Sequence, residues 1–122
     1  MSFVQLARYT IGLMWIYQGL FPKLLHIAPL EMQISGSIGL SPTMTFWFIK
    51  LAGVAEILFG ILFIQFYERR QVVLLNMLAL VGLLLFTALM TPHILIEAFN
   101  PVTTNIPLLL LSYYLLLRAK NR

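Results

Sequence analysis

Two charged side chains, Arg8 and Glu56, lie within long apolar stretches of the sequence. Glu56 is near the middle of residues 44–66, where Lys50 is the only other charged residue. A charge deep in hydrocarbon costs about 2.5–3.5 kcal/mol on insertion scales, so it needs a partner or a wet cavity. Arg8 and Glu56 each lie on the same helical stripe as glycines of their own span, and glycines let helices approach closely. The pattern therefore predicts that both charges point into a helical bundle.

The positions of these charges along their helices suggest how they are neutralised. With a hydrocarbon core of about 30 Å, Arg8 and Glu56 come within a few ångströms of each other along the bundle axis. Lys50 is a poorer partner, because six residues along one helix turn it about 120° away from Glu56. We therefore predict a buried Arg8–Glu56 ion pair, with the alternative that Glu56 also serves a ligand or a proton. Lys50 is expected to extend to the nearby interface.

A second set of polar residues gathers where helices are predicted to start or stop. Amide, hydroxyl and ammonium groups at the rim of a bundle suit the head group of a quinone or lipid. Trp15 is assigned to packing rather than to a cofactor site. The predicted ligand-binding residues are Tyr17, Gln18, Lys23, Glu56, Asn100 and Asn105.

Metal and thiol chemistry find no support in the sequence. His26 and His93 have Glu31 and Glu97 nearby, but their spacing matches no metal-ligand motif, so no metal is predicted. The chain has no cysteine, which excludes thiolate catalysis and disulfide exchange by this chain alone. No pattern assigns a catalytic residue, so catalytic activity stays undecided.

The composition is typical of a membrane protein. Hydrophobic residues make up 61% of the chain, charged residues 10%, and the mean hydropathy is +0.93. A soluble domain of this length needs a more highly charged surface. The net charge of +4 comes mostly from residues at segment ends, where lipid head groups explain it better than nucleic acid. A single domain over residues 1–122 is expected.

Four apolar stretches predict an all-α, integral membrane four-helix bundle. The spans cover approximately residues 3–21, 44–66, 72–90 and 102–119. No basic region precedes the first span, so it is expected to be retained rather than cleaved as a signal peptide. The tight connection at 67–71 predicts that the second and third spans form an antiparallel hairpin.

The basic residues predict the orientation of the bundle. Five of them fall on the side of both termini and of the turn between the second and third spans: Arg69, Arg70, Arg118, Lys120 and Arg122. The other two loops contain only Lys23. Because Lys and Arg concentrate in cytoplasmic loops, both termini should be cytoplasmic. The outer loops hold short amphipathic segments, at 27–34 and 93–99, that could lie on the bundle's mouth.

Three motifs, taken in order, resemble the DoxX-like family of small four-helix bacterial membrane proteins. They are residues 15–25 (WIYQGLFPKLL), 53–60 (GVAEILFG) and 99–105 (FNPVTTN). The resemblance implies a compact four-helix bundle in the bacterial inner membrane. The motif positions that are polar or conformationally special are Tyr17, Gln18, Pro22, Lys23, Glu56, Asn100, Pro101 and Asn105.

What the resemblance implies about function is less specific. Related proteins are linked to quinone-coupled sulfur oxidation and to oxidative-stress assemblies, and similar chains occur fused to NAD(P)-binding epimerase-like domains. A redox protein of that kind is thus an implied partner and a quinone an implied ligand. The family supplies no agreed catalytic residues.

Three functions are compatible with these features. The first is a membrane subunit or binding module for a quinone- or lipid-like ligand, whose site forms where the 17–23 segment meets residues 100–105. The second is a small proton-coupled transporter that uses Glu56, which requires that carboxylate to lack a fixed partner. The third is a purely structural membrane partner. The oligomeric state is not predicted.

Overall fold

The computed structural model describes residues 2–25, 32, 36–39, 41–96 and 101–118, and within them the chain forms helices and no strand. The α-helices are α1 (Phe3–Gly19), α2 (Pro42–Phe66), α3 (Arg70–Met90) and α4 (Pro101–Arg118). A π-helical turn (Leu20–Leu25) continues α1, and a 3-10 turn (Pro92–Ile96) follows α3. The all-α fold with four helices is as predicted.

Serine hydroxyls fix where two of the helices begin. Ser2 Oγ accepts a hydrogen bond from the Gln5 amide at 3.2 Å, and Ser41 Oγ accepts one from the Met44 amide at 3.2 Å. Each bond satisfies one of the amides that a helix start leaves without a partner in the helix. Pro42 follows Ser41 at a position where its missing N–H costs nothing. As a result α2 begins two residues before the predicted span.

Glycines bring α1 and α2 into close, antiparallel contact. A Cβ atom built on Gly60 would lie 2.6 Å from the Gly12 carbonyl oxygen, and one built on Gly53 would lie 2.8 Å from that of Gly19. Side chains at these positions would force the helices apart. The predicted glycine stripes therefore do form the interface, and they set which residues of the two helices are level with each other.

The helices pack in two pairs. α1 packs mainly on α2, α3 mainly on α4, and α1 also contacts α4. Although a tight turn at 67–69 joins α2 to α3, these two helices make few contacts with each other. The predicted hairpin is thus present as a connection, but the backbones of its two helices approach each other closely at few places.

Where α2 turns into α3, side chains from all four helices fill the bundle. We call this the closed end, and its buried apolar side chains are Ala7, Ile11, Phe63, Val73 and Leu115. None of them is more than 2% exposed. The opposite half of the bundle contains a cavity instead.

In the described part of the chain, two helices are long and apolar enough to cross a membrane. These are α2, with a mean hydropathy of 2.0, and α3, with 2.6. Only 22% of the most apolar stretch of each is buried, whereas the core helix of a soluble protein is mostly buried. Of the two amphipathic segments predicted outside the bundle, most of 27–34 and part of 93–99 lie outside the described residues.

Candidate functional site

A cavity of about 450 Å³ lies between the four helices, in the half of the bundle away from the closed end. Its walls are largely apolar, with contributions from every helix and from Ile38 of the 36–39 segment. A small set of polar or amphipathic side chains also lines it: Trp15, Gln18, Lys23, Glu56, Thr87, Thr104 and Asn105. Ligand pockets commonly have this size and this mixture of apolar walls with a few polar groups.

The charged centre of the cavity is an ion pair between Lys23 and Glu56. Lys23 Nζ lies 3.2 Å from Glu56 Oε1, and the two side chains are only 9% and 16% exposed. Nζ also donates to the Gln18 carbonyl oxygen at 3.5 Å, and Glu56 Oε2 is buried as well. A buried charge of this kind is tolerated only when an opposite charge and hydrogen bonds compensate for its lost hydration.

Local backbone geometry explains how Lys23 reaches Glu56. Lys23 belongs to the π-helical turn that continues α1, so the helix does not stop where the sequence suggested. Lys23 packs against Gly53 of α2, where an added Cβ would lie 3.0 Å from Lys23 Cβ. The missing side chain at Gly53 therefore leaves room for the lysine to run along α2 towards the carboxylate.

The predicted Arg8–Glu56 ion pair is wrong. Arg8 Nε donates to the Ile64 carbonyl oxygen at 2.6 Å and Nη1 donates to Gln5 Oε1 at 3.0 Å. The reason is helix register: because Gly12 lies opposite Gly60, Arg8 is level with Ile64. Ile64 and Glu56 are eight residues apart, which separates Arg8 from the carboxylate by about 12 Å along the helix.

Lys50 is also held by a backbone oxygen. Its Nζ donates to the Leu24 carbonyl oxygen at 2.6 Å and lies 5.3 Å from the centroid of the Phe46 ring. The prediction that Lys50 is not the partner of Glu56 is therefore correct. Its role here is to attach the π-helical turn to α2.

Four of the predicted ligand-binding residues line the same cavity: Gln18, Lys23, Glu56 and Asn105. Tyr17 does not, because it lies on the outer face of α1, where it is 54% exposed. Its ring centroid is 4.9 Å from that of Phe21. Asn100 lies outside the described residues. Gln18, near the end of α1, and Asn105, in the first turns of α4, line the same cavity, which agrees in part with the predicted meeting of residues 17–23 and 100–105. Ligand binding by these residues stays a prediction.

Asn105 connects the cavity wall to α3. Its Nδ2 donates to the Leu80 carbonyl oxygen at 3.0 Å, and its Oδ1 accepts a hydrogen bond from Thr104 Oγ1 at 3.3 Å. The residue is buried. Both ends of its amide are thus fixed, so the side chain has a defined orientation in the cavity wall.

A buried network that the sequence analysis missed lies directly beside the cavity. Trp15 Nε1 donates to Asn76 Oδ1 at 2.7 Å, and Asn76 Nδ2 donates to Ser112 Oγ at 2.6 Å. Ser112 Oγ in turn donates to the Leu108 carbonyl oxygen at 2.6 Å. The network joins α1, α3 and α4. Asn76 could have pointed to this network, because it is the only side-chain amide in the predicted span 72–90, which was noted only for its lack of charge.

The described part of the chain contains no group of three or more His, Cys, Asp or Glu side chains placed to hold a metal ion. His93 lies in the 3-10 turn. His26, Glu31 and Glu97 lie outside the described residues.

The architecture is that of a small helical protein with a polar centre inside an apolar shell. The sequence model of the DoxX-like family matches residues 12–113, most of the 122-residue chain. The chain therefore belongs to the DoxX-like family, as its motifs predicted. No curated protein and no solved structure matches it. The matched range includes the ion pair and every described cavity-lining residue.

Proposed function

We propose that this protein is an integral membrane binding module whose cavity holds the polar head of a quinone- or lipid-like ligand. The observation that carries the proposal is the buried Lys23–Glu56 pair in a cavity that is otherwise mostly apolar. The ammonium group donates hydrogen bonds and the carboxylate accepts them. A head group with both carbonyl and hydroxyl oxygens, as in a quinone or its reduced form, complements that pair.

The arrangement of apolar side chains supports a membrane location. Large hydrophobic residues are exposed on the outside of every helix, among them Leu13, Leu51, Leu78 and Leu110. In water such a surface would drive aggregation, whereas in a bilayer it meets hydrocarbon. We propose a multi-pass protein of the bacterial inner membrane, in which all four helices span the bilayer.

The distribution of basic residues supports an orientation for that bundle. Arg69 and Arg70 lie at the α2–α3 turn and Arg118 at the end of α4, all at the closed end of the bundle. The positive-inside rule puts this end in the cytoplasm, with both termini. The cavity half then lies towards the outer leaflet. A C-terminal fusion to alkaline phosphatase should be inactive and one to a fluorescent protein should fluoresce; the reverse pattern would overturn the orientation.

We also propose that the bound ligand serves a redox partner, for which an NAD(P)-binding epimerase-like protein is the first candidate. The support is the resemblance of the motifs around Gln18, Lys23 and Asn105. The transporter alternative is less well supported, because Lys23 already neutralises the carboxylate that proton exchange would need.

Mass spectrometry of molecules that copurify in mild detergent tests the ligand proposal. We expect a quinone or lipid at near-stoichiometric occupancy in the wild type. The informative variant is Lys23→Met with Glu56→Gln, which removes both charges and so strands neither of them. It should lose most of the ligand while its melting temperature changes little.

Arg8→Gln is the matched control, because Arg8 is a half-buried cation that donates to a carbonyl oxygen and does not line the cavity. It should retain the ligand. Wild-type protein without any bound quinone or lipid, or full occupancy in the double variant, would overturn the proposal.

A further inference from the structure

The bundle is least closed between α2 and α3. These helices make few contacts with each other, whereas α1 packs closely on α2 and α4 packs on α3. Both helices nevertheless contribute to the cavity, through Phe48 and Ala52 of α2 and through Leu83 and Phe86 of α3. The two helices therefore face each other across the cavity, and their backbones approach each other closely at few places.

The exposure of the cavity-lining residues also points to the side between α2 and α3. Of the described residues that line it, three are exposed: Ile38 at 43%, Phe48 at 47% and Leu83 at 44%. All three are apolar, and none belongs to α1 or α4. The cavity wall that reaches the outside of the described bundle is therefore apolar and lies between α2 and α3, while the ion pair lies inside.

We propose that the gap between α2 and α3 is a lateral opening through which the apolar chain of the ligand extends into the bilayer. This inference rests on the proposed function and narrows the ligand to an amphiphile with one polar head and a long chain. A cavity of about 450 Å³ is the size of pocket that encloses drug-sized molecules, so a longer chain has to leave it. An apolar opening that meets hydrocarbon lets the chain leave without crossing water.

The cysteine-free sequence allows a direct test, since introduced thiols have no background. Phe48→Cys and Leu83→Cys place one thiol on each side of the opening, and a flexible bis-maleimide joins them. The probes are ubiquinone-8, whose chain of eight isoprene units is too long for the cavity, and the same quinone without its chain, because quinones quench tryptophan fluorescence. Trp47→Phe leaves Trp15, which lines the cavity, as the sole tryptophan.

We expect the crosslink to weaken ubiquinone-8 binding about tenfold or more, because each methylene that the crosslink keeps out of hydrocarbon costs about a factor of four in affinity. Binding of the chainless quinone at equilibrium should be unchanged. The control crosslink joins Leu62→Cys to Leu74→Cys, which are on the same two helices, exposed and not cavity-lining. It should affect neither probe.

The other outcomes are equally decisive. Equal loss of both quinones would show that the crosslink distorts the cavity, and unchanged ubiquinone-8 binding would show that its chain does not pass between α2 and α3. Either result overturns the lateral opening but leaves the proposed function intact. Phosphatidylglycerol with brominated acyl chains, also a quencher, repeats the test for a lipid occupant. No quenching by any probe in the uncrosslinked protein would overturn both proposals.

Discussion

The two halves of the bundle differ in the groups that compensate for the charge of a basic side chain. At the closed end, Arg8 donates to the Ile64 carbonyl oxygen and its guanidinium lies 4.3 Å from the Tyr67 ring centroid. In the cavity half, Lys23 instead pairs with the carboxylate of Glu56. Arg8 thus completes the end of a helix and is surrounded by packed side chains. Lys23 and Glu56 hold opposite charges beside a space large enough for a ligand.

If the proposed function is correct, this difference separates a ligand site from a part of the bundle that serves stability. Ile64 is among the last four residues of α2, whose carbonyl groups have no amide partner within the helix. Arg8 satisfies one of them and complements the negative end of the helix dipole. Lys23 also donates to the Gln18 carbonyl oxygen near the end of α1, but that bond does not require Glu56. Apolar residues in place of the pair would cost less in hydration.

The largest expected effect comes from breaking the pair in the cavity. Lys23→Met and Glu56→Gln should each lower the free energy of unfolding, by up to about 3–5 kcal/mol, because each leaves a buried partner uncompensated. The double variant should recover most of the loss, which a double-mutant cycle in detergent measures. The control cycle combines Glu56→Gln with Arg8→Gln, whose losses should add. Additive losses in the first cycle would mean that Lys23 and Glu56 do not share a site.

Some features of the two halves could be predicted from the sequence, and others could not. Apolar spans and glycine stripes sufficed to predict four helices, the α1–α2 interface and the inward direction of Glu56. The partner of Glu56 depended on the register of α1 against α2. In the structure Arg8 lies about two helical turns away from Glu56 along the bundle, and Lys23 pairs with Glu56 instead. A continuous stripe of glycines permits several registers with similar packing, and only the full set of contacts selects one.

The position of Lys23 also depended on local geometry that the sequence does not reveal. Pro22 suggested that the helix ended before Lys23, since proline lacks an amide hydrogen. The wider π-helical turn accommodates this position, and the helix continues to Leu25. Gln18 and Asn105 line the cavity together, because helix ends at one level of a bundle bring their side chains together whatever the register. Ligand binding by these two residues stays a prediction.

The boundary between the two halves provides the next prediction. Asn76→Leu should lower the free energy of unfolding by about 1–3 kcal/mol, since it leaves the Trp15 indole N–H buried without its acceptor. Chemical unfolding in detergent measures the loss. Adding Trp15→Phe should recover part of it, because the orphaned donor is then absent. If the double variant is less stable than Asn76→Leu, the network acts through packing and not through the hydrogen bond.

Glycine substitutions compare a close helix contact with an open one. Gly60→Ala should destabilise by about 1–3 kcal/mol, because its Cβ would meet the Gly12 carbonyl oxygen and separate α1 from α2. Gly82→Ala in α3 is the matched control: a Cβ there meets nothing within 4 Å, so the gain in helix propensity should stabilise by up to about 1 kcal/mol. Thermal unfolding compares the two. The same sign for both would mean that α1 and α2 do not approach as closely as described.

The smallest effect is expected at the closed end, and it separates helix capping from ligand binding. Arg8→Gln should cost about 1 kcal/mol in unfolding free energy, because it removes a charged donor from a helix end without stranding another charge. Arg8→Lys should recover part of that loss, since an ammonium can still reach a carbonyl oxygen but cannot bond Ile64 and Gln5 with a fixed planar group. In both variants the amount of copurified ligand should equal that of the wild type, because Arg8 lies about 12 Å from the ion pair along the bundle. If Arg8→Gln loses the ligand at unchanged stability, the closed end also takes part in ligand binding, and the two halves do not have separate roles.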